Sequence, residues 1–459
     1  MPYHFTLAPS GFKESLSARQ AAESMAEGIR RVTPEATLDL IPLVDGGEGT
    51  AEALALATGG RLLPHAATGP VGDPVRTHFA LLGPAGGPSP GPTLPTSLPT
   101  AVVEMAAVAG LSLVPPNRRD PGTTTTYGVG ELIGAALDAG ARRVLVGCGD
   151  SGTSDGGAGA LQALGARLLD AAGAELPRGG HALALLDRID PSGLDPRLRD
   201  TELLVACNPF NVLCGPSGVA RVYGPQKGAT PAQVESLAEG LDRWADVLER
   251  DVRGRPAQRE AEPRTDLRTD SPPEPRTDLR TAPGTGASGG LGAGLAALGA
   301  RLLPRFEVLL DRLDLDARLA RADLVLTAEG SLDSQTARGK VPAEVARRAK
   351  AFGKPVLALA GTLGEGAHET RATGIDAYGS ILPAPLGLAE ALTHAPAYLA
   401  DATEHALRMV LLGTRLQPRP PHPPRPPQPF AGLLSNRAAT AAEEPVPEGI
   451  GWSWAGTSR

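Results

Sequence analysis

Five glycine-rich loops hold the residues of this 459-residue chain that are best suited to chemistry on a phosphate group. They carry Ser or Thr and, in most cases, Asp or Glu, and they span residues 9–15, 45–50, 149–159, 284–292 and 329–340. Glycine lets backbone N–H groups approach an anion closely, and hydroxyl groups add further donors. Carboxylates in such a site would repel phosphate unless they hold Mg2+ or accept a proton. The combination therefore predicts phosphoryl transfer.

Lysine is rare in this chain, and its placement supports the same chemistry. Of the 44 basic residues only five are lysines, and Lys13, Lys227 and Lys340 lie in turns rich in Gly, Ser or Pro. A lysine kept in such a turn suits contact with phosphate, because its ammonium group is a compact point charge. Chance placement of exposed lysines remains the alternative.

Short apolar runs alternate with segments of helical periodicity along most of the chain. Strands are predicted at 5–9, 38–44, 77–82, 100–105, 143–147, 203–207, 324–327 and 355–360, and helices at 18–32, 50–57, 128–139, 158–169, 293–302 and 342–351. Ser17 is the expected N-cap of the first helix. Because buried parallel strands read as continuous apolar runs, the alternation predicts an α/β fold with a mainly parallel sheet. In such a fold, loops at the carboxyl ends of the strands form the ligand crevice.

Composition argues against several classes of protein. The net charge is -7 and the pI is about 5.7, whereas a nucleic-acid partner would need a basic face. The chain has no run of 18 apolar residues, so no membrane span is expected. Cys148, Cys207 and Cys214 follow no metal-ligand spacing. We expect reduced thiols in a cytoplasmic protein, with Cys148 in the core.

Three segments are predicted to be disordered and to lie outside the packed fold. Residues 84–99 are rich in Pro and Gly, and residues 253–283 contain the heptad PRTDLRT twice. Residues 416–459 open with a proline-rich stretch that cannot form a helix. None of the three has an apolar period that would let it bury a hydrophobic face.

Familiar nucleotide and metal motifs do not explain the five loops. The chain has no Walker A motif, no protein-kinase signature set, and neither an HExxH nor a CxxC pattern for zinc. Residues 284–289 fit G-x-G-x-x-G, but no strand is predicted before them, so the match is weak.

An ordered set of motifs resembles the type I glycerate kinases. Residues 8–18 (APSGFKESLSA) are similar to the family's D-S-F-K-G-S-L-[ST]-A, and residues 42–50 (PLVDGGEGT) to its P-x-[AS]-D-G-G-E-G-T. Further matches follow in the family's order, at residues 124–133, 147–159, 208–216, 223–229, 284–294 and 327–340. The similarity runs from about residue 4 to about residue 412. Each motif alone could arise by chance, but the ordered set is highly specific.

The resemblance implies ATP-dependent phosphorylation of D-glycerate on its 2-hydroxyl, with ATP and Mg2+ as cofactors. It also implies two α/β domains, one inserted into the other, with the active site in the cleft between them. Residues 1–70 and 286–415 would form the first domain and residues 71–285 the second. The expected partner is this small-molecule substrate, without nucleic acid or membrane. Two alternatives remain, a non-catalytic nucleotide- or anion-binding regulatory module and a kinase of another small hydroxy acid.

Asp45, Asp155 and Lys13 are the candidate catalytic residues. Asp45 or Asp155 would accept the hydroxyl proton, and Lys13 would neutralise phosphate or the glycerate carboxylate. Each aspartate has a structural alternative, as the cap of the helix that follows it. Asp45 and Asp333 are the candidate Mg2+ ligands, and for Asp333 an ion pair with Lys340 is the competing interpretation.

Other loop residues are candidates for binding. Substrate contacts are predicted for Ser10, Ser15, Glu48, Ser151, Thr153 and Glu104, and for Glu104 a surface salt bridge is the alternative. Nucleotide or phosphate contacts are predicted for Gly46, Gly47, Gly156, Gly157, Lys227, Gly286, Ser288, Gly289, Gly290, Glu329, Gly330, Asp333, Gln335, Thr336 and Lys340. The chain departs from the family pattern in lacking an acid at Ser10 and in having one at Asp150.

Overall fold

The structure, a computed structural model, describes residues 2–12, 15–83, 98–253, 277–310 and 313–414. Its strands, in chain order, are β1 (His4–Leu7), β2 (Thr37–Leu40), β3 (Arg61–Thr68), β4 (Pro74–Leu81), β5 (Thr100–Glu104), β6 (Arg143–Gly147), β7 (Arg167–Leu169), β8 (Arg188–Asp190), β9 (Glu202–Cys207), β10 (Arg301–Pro304), β11 (Leu324–Leu332), β12 (Val356–Leu363) and β13 (Ala377–Ser380). Its helices are α1 (Ala18–Arg30), α2 (Thr50–Thr58), α3 (Ala106–Ala109), α4 (Tyr127–Asp138), α5 (Ala158–Ala163), α6 (Val219–Tyr223), α7 (Pro231–Val247), α8 (Ala287–Ala297), α9 (Arg305–Leu309), α10 (Leu315–Arg321), α11 (Val341–Ala351) and α12 (Leu388–Gly413). None of the described helices is both long and apolar enough to span a membrane.

The first sheet is built from strands near both ends of the chain. Its order is β13-β12-β11-β1-β2, and every neighbouring pair is parallel. Phe5 of β1 pairs with Leu324 of β11 on one side and with Leu38 of β2 on the other. α1 packs against β1 and β2, and its N-cap is Ser17, whose hydroxyl accepts from the backbone of Gln20. The predicted cap is therefore confirmed.

The second sheet is mixed and has the order β10-β9-β6-β5-β4-β3. β10, β9, β6 and β5 are parallel, and β4 and β3 continue the sheet antiparallel. Two sheets rich in parallel strands confirm the predicted α/β class. β3 and β10 lie outside residues 71–285, so this sheet extends beyond the predicted inserted domain at both ends. The division into two domains itself stays a prediction.

Helix α2 connects the two sheets. It follows β2 of the first sheet, yet Ala51, Leu54 and Ala55 pack into an apolar cluster with Val102 and Leu145 of the second sheet. The chain between β2 and α2 therefore crosses from one sheet to the other. This crossing places the Asp45 loop between the sheets.

Two predicted helices are shorter than expected, because a glycine with positive φ follows each of them. α5 ends at Ala163, and β7 occupies residues 167–169. Gly165 has a φ of 106°, and a Cβ there would lie 2.0 Å from the Gly193 carbonyl oxygen. α8 likewise ends before Gly299, whose φ is 92°. The expected helices over 158–169 and 293–302 are therefore wrong in their second halves.

Disorder over residues 253–283 is a wrong prediction for the part that the structure describes. Leu279 is fully buried, and Arg280 forms ion pairs with Asp242 and Asp246. Pro99 is also part of the packed fold, since its carbonyl accepts from the backbone of Arg142. The rest of the three predicted disordered segments, residues 84–97, 254–276 and 415–459, lies outside the described residues.

The three cysteines are free thiols, as predicted, and all three are buried, as was predicted for Cys148. Burial raises the pKa of Cys148 to about 12, so this thiol stays protonated and unreactive at neutral pH.

Candidate active site

The Asp45 loop, residues 45–49, lies where the carboxyl edges of the two sheets meet. On the first-sheet side, the Leu43 N–H donates to the Pro9 carbonyl, just beyond β1. On the second-sheet side, Gly46 has a φ of 90°, and a Cβ there would lie 2.9 Å from the Cys148 backbone nitrogen, just beyond β6. Only glycine fits a backbone with this conformation and this close an approach. The loop is thereby fixed against both sheets.

Asp45 is held by two donors. Its Oδ1 accepts from the Gly47 N–H at 3.2 Å, and its Oδ2 accepts from Arg305 Nη1 at 3.0 Å. Its side chain is 41% exposed, which leaves it open to a ligand. The alternative that Asp45 caps α2 is wrong, because the N-cap of α2 is Gly49 and makes no side-chain bond.

Glu104 caps α2 from the end of β5. Its carboxylate accepts from the N–H groups of Gly49, at 3.3 Å, and of Ala51. The residue is 2% exposed, and burial raises its pKa to about 7. Neither of its predicted positions, in contact with substrate or in a surface salt bridge, fits this geometry. Glu104 instead fixes the first turn of the helix that follows the Asp45 loop.

The loop over residues 329–340 contains a small network of charges. Lys340 Nζ lies 3.2 Å from Asp333 Oδ1 and 3.8 Å from Glu329 Oε2. Thr336 donates its hydroxyl to Glu329. The ion pair between Asp333 and Lys340 is therefore present. It competes with a Mg2+ ion for Asp333.

The pKa values in this network move in opposite directions. Burial raises the pKa of Glu329 to about 7, although Lys340 and Thr336 oppose the rise. Partial burial acts to raise the pKa of Asp333 too, but Lys340, the Gln335 N–H and Ser331 lower it below its ordinary value. Asp333 is therefore the charged partner of Lys340 at neutral pH.

Asp155 is fully buried and saturated by internal donors. Its Oδ2 accepts from the N–H and hydroxyl of Thr126, both at 2.8 Å, and from the Gly159 N–H at 3.2 Å. Its Oδ1 accepts from the Gly157 N–H at 3.0 Å, and burial raises its pKa. Since Gly157 and Gly159 lie at the start of α5, the geometry favours the capping alternative over a catalytic role.

Lys227 is a buried lysine behind the 151–153 segment. It is 2% exposed, and its Nζ donates to Ser151 Oγ at 2.8 Å and to the Thr153 carbonyl at 2.7 Å. Burial lowers its pKa to about 7, although Asp155 opposes the shift. Ser151 is half-buried, whereas Thr153 is fully buried and donates to the Thr124 carbonyl. Only Ser151 of this group faces outward enough to meet a substrate.

The glycine-rich first turn of α8, which has non-helical backbone angles, packs against protein. Ser288, Gly289 and Gly290 all have positive φ, and the Gly289 carbonyl accepts from the Gly156 N–H at 2.9 Å. A Cβ on Gly289 would lie 2.0 Å from the Thr153 carbonyl oxygen. The glycines that sequence analysis assigned to phosphate thus serve, in part, to let two loops pack closely.

The other candidate residues are distributed as follows. Ser10 donates its hydroxyl to the Ala328 carbonyl at 3.1 Å, next to Glu329. Ser15 donates to the Phe12 carbonyl at 3.4 Å. Glu48 and Gln335 are exposed, and Gly330 is half-buried. Gly157 is buried against Leu291, and Gly286 is buried against Val212. Lys13 lies outside the described residues.

The structure thus brings together part of the predicted site. Asp45, Gly47 and the 329–340 loop meet around Arg305, which sequence analysis missed. Arg305 Nη1 also reaches the Asp45 carbonyl at 3.3 Å, and Nη2 donates to the Gly339 carbonyl at 2.7 Å. No local pattern could reveal this contact, because Arg305 and Asp45 are 260 residues apart.

Comparison with known proteins shows which proteins this chain is similar to. A model of the glycerate kinase family matches residues 5–411. The glycerate kinase of Bacillus subtilis is 43% identical over 394 residues, which cover 86% of this chain and 94% of that protein. The glycerate 2-kinase of Escherichia coli is 39% identical over 410 residues, which cover 89% and 98%. A crystal structure described as glycerate kinase 2 from Salmonella typhimurium LT2 aligns with this chain with a TM-score of 0.68 and 40% identity. The alignment covers 91% of this chain and 100% of that one.

Proposed function

Since the chain belongs to the glycerate kinase family, we propose that it is an enzyme that transfers the terminal phosphoryl group of ATP to D-glycerate, giving 2-phosphoglycerate. The observation that carries the proposal is the position of the Asp45 loop at the carboxyl edges of both sheets, where open α/β folds bind ligands. There the guanidinium of Arg305 donates both to the half-exposed Asp45 carboxylate and to the Gly339 carbonyl, in the loop that carries Lys340. Phosphoryl transfer needs such cations for the phosphates and an acid near the acceptor hydroxyl.

On the acceptor side of the site, the described residues supply Asp45 and Ser151. Asp45 accepts the proton of the glycerate hydroxyl as the bond to phosphorus forms. Lys227 donates to Ser151 Oγ, so Ser151 keeps its own hydrogen for an anionic oxygen of the substrate. Asp155 is unsuited to accept this proton, because it has no exposure and four internal donors. Lys13 binds the glycerate carboxylate or the transferring phosphate.

The nucleotide side consists of the 329–340 loop and the start of α11. Lys340 is the N-cap of this 11-residue helix, so the positive end of the helix dipole adds to its ammonium charge. ATP phosphates would take Lys340 from Asp333, because the ion pair between them is only partly buried. The side chain of Lys340 is 30% exposed and that of Asp333 is 26% exposed. The 286–290 loop supports the wall of the site by packing against residues 153–156.

Mg2+ is the second proposed cofactor, and the donors beside the Asp45 loop fit it. A Cβ on Gly47 would lie 3.2 Å from Asp45 Oδ1 and 2.6 Å from Asp150 Oδ2, so both carboxylates flank one glycine. Of the two, Asp150 would hold the ion, which neutralises phosphate charge in such kinases, because Arg305 already donates to Asp45 Oδ2 and Asp45 is the proposed proton acceptor. Asp333 fits less well, because the Gln335 N–H and the Ser331 hydroxyl already donate to its carboxylate. The described residues contain no group of three or more potential metal ligands; Mg2+ usually takes most of its ligands from water and phosphate.

The first test is glycerate-dependent release of ADP by the purified protein, with the variants Asp45→Asn and Lys13→Ala. We expect each variant to lose at least about 100-fold in kcat, because removing a group that acts in the transition state commonly costs that much. Asp195→Asn is the matched control, since Asp195 also pairs with an arginine, Arg197. Near wild-type turnover in both folded site variants would contradict the site assignment.

A panel of small hydroxy acids in the same assay tests the substrate. D-Glycerate should give the highest kcat/KM, and phosphorus NMR of the product should show 2-phosphoglycerate. ATP binding without turnover of any acid would favour the regulatory-module alternative. A faster reaction with another hydroxy acid would replace glycerate as the substrate.

A further inference from the structure

Arg305 connects loops that belong to different parts of the fold. It is the first residue of α9 and follows β10, so it stands at the carboxyl edge of the second sheet. Its side chain is only 10% exposed. Nη1 donates to Asp45 Oδ2 at 3.0 Å, and Nη2 donates to the Gly339 carbonyl at 2.7 Å. Asp45 follows β2, and Gly339 follows β11, both in the first sheet.

The two loops that Arg305 joins are the two sides of the proposed site. With Arg305 on Oδ2 and the Gly47 N–H on Oδ1, both oxygens of the Asp45 carboxylate are hydrogen-bonded, so its orientation is fixed. Gly339 immediately precedes Lys340, the N-cap of α11. One planar cation therefore sets the separation between the proposed proton acceptor and the proposed phosphate-binding lysine.

Only a guanidinium can make this connection. Its two Nη groups donate in different directions within one rigid plane, whereas a lysine ammonium is a point charge on a flexible stem. The plane is itself supported, because the guanidinium carbon lies 4.8 Å from the ring centre of Phe306. Arg348 in turn donates to the Phe306 carbonyl at 3.1 Å, which fixes the first turn of α9.

We propose that Arg305 is a positioning residue for phosphoryl transfer, which acts through Asp45 and the Gly339 carbonyl and does not contact the reacting atoms. This inference rests on the proposed function. Misplacement of a reacting group by about 1 Å can cost about 100-fold in rate even when the substrates still bind. A loss of Arg305 should therefore lower kcat more than it raises either KM.

The test compares Arg305→Lys with Arg143→Lys in steady-state kinetics and thermal unfolding. Arg143 is the matched control, since it is also a buried arginine, 1% exposed, that pairs with a carboxylate, Glu202. It is the first residue of β6 and so lies at the end of that strand away from the proposed site. We expect Arg305→Lys to lower kcat by about 10- to 100-fold with less than about a threefold change in KM for ATP or glycerate. Arg143→Lys should lower the Tm but keep wild-type kcat.

Two further measurements separate positioning from a merely structural role. Asp45→Asn combined with Arg305→Lys should be barely slower than Asp45→Asn alone, because residues that act as a unit are not additive. Free guanidinium should partly restore the lowered kcat of Arg305→Ala and should leave the kcat of Arg143→Ala unchanged. Additive losses, or a Tm loss with kcat unchanged, would overturn the inference. If the wild-type protein itself shows no glycerate-dependent ADP release, the proposed function fails instead.

Discussion

At the scale of single residues, Glu104 carries a prediction about pH. Burial raises its pKa from 4.5 to about 7, so the folded protein binds this proton more tightly than the unfolded chain does. This tighter binding of the Glu104 proton stabilises the folded protein. The stabilisation is fully present below about pH 4.5 and is lost as the pH rises through about 7. The loss amounts to about 3 kcal/mol of unfolding free energy, at about 1.4 kcal/mol per pKa unit.

The variant Glu104→Gln isolates this contribution, because glutamine stays neutral. Between about pH 4.5 and about pH 8, the unfolding free energy of the wild type should fall by about 3 kcal/mol relative to that of the variant. Urea titrations at a series of pH values measure the difference. The exposed Glu175, paired loosely with Arg167 at 3.8 Å, provides the control Glu175→Gln, which should follow the wild type. Parallel curves for the wild type and Glu104→Gln would contradict the assignment.

The same residues show what sequence analysis can reach at this scale. Asp45 and Lys340 were identifiable as candidates for the site, because a carboxylate or a lysine in a glycine-rich loop suits proton or phosphate chemistry. The roles of Glu104 and Arg305 were not, because each depends on a contact with a distant segment. Glu104 reaches Ala51, 53 residues away. Local pattern carries no information about such a pairing.

At the scale of elements, the non-helical first turn of α8 depends on close packing between backbones. Gly289 has a φ of 72°, and a Cβ there would lie 2.0 Å from the Thr153 carbonyl oxygen. Gly299 also has a positive φ, 92°, but a Cβ there would meet nothing within 4 Å. The backbone strain of a non-glycine residue, about 1–2 kcal/mol, is common to both positions. Only Gly289 adds a clash.

Substitution of these two glycines by alanine separates strain from packing. Gly299→Ala should cost about 1–2 kcal/mol of unfolding free energy, from strain alone. Gly289→Ala should cost at least about 1–3 kcal/mol more, because overpacking forces the backbone to shift. Chemical denaturation of both variants gives the comparison. Equal losses at the two positions would mean that the loop adjusts freely around Thr153.

The elements themselves were predictable where the chain marks their ends. β6 was predicted at its observed bounds, since the continuous apolar run of residues 144–146 lies between an arginine and a glycine. α5 was extended too far, because apolar residues continue past Gly165 into β7. The glycine was visible in the sequence, but the need for it, the Gly193 carbonyl at 2.0 Å from a Cβ, comes from a separate loop. Composition alone could not rank this glycine above the others.

At the scale of the whole molecule, the order of motifs identified the family, and the alternation of elements identified the class. The pairing of strands was beyond reach, because β1 has neighbours from opposite ends of the chain, β2 and β11. The membership of β3 and β10 in the second sheet was missed for the same reason. Composition also overestimated one disordered segment: the second copy of the heptad, residues 275–281, contains the buried Leu279.

Two deletions test where that segment joins the fold. Arg253 Nη1 donates to the Thr277 carbonyl at 2.5 Å, so the two described residues that flank this segment contact each other. Replacement of 254–276 by a short Gly-Ser link should leave kcat and Tm unchanged, since it keeps every contact that the described residues make with one another. Extending the deletion to residue 283 removes Leu279 and the ion pairs of Arg280. It should cost at least about 2–5 kcal/mol, as for loss of a buried leucine. Equal stability of the two deletions would show that residues 277–283 contribute nothing to the core.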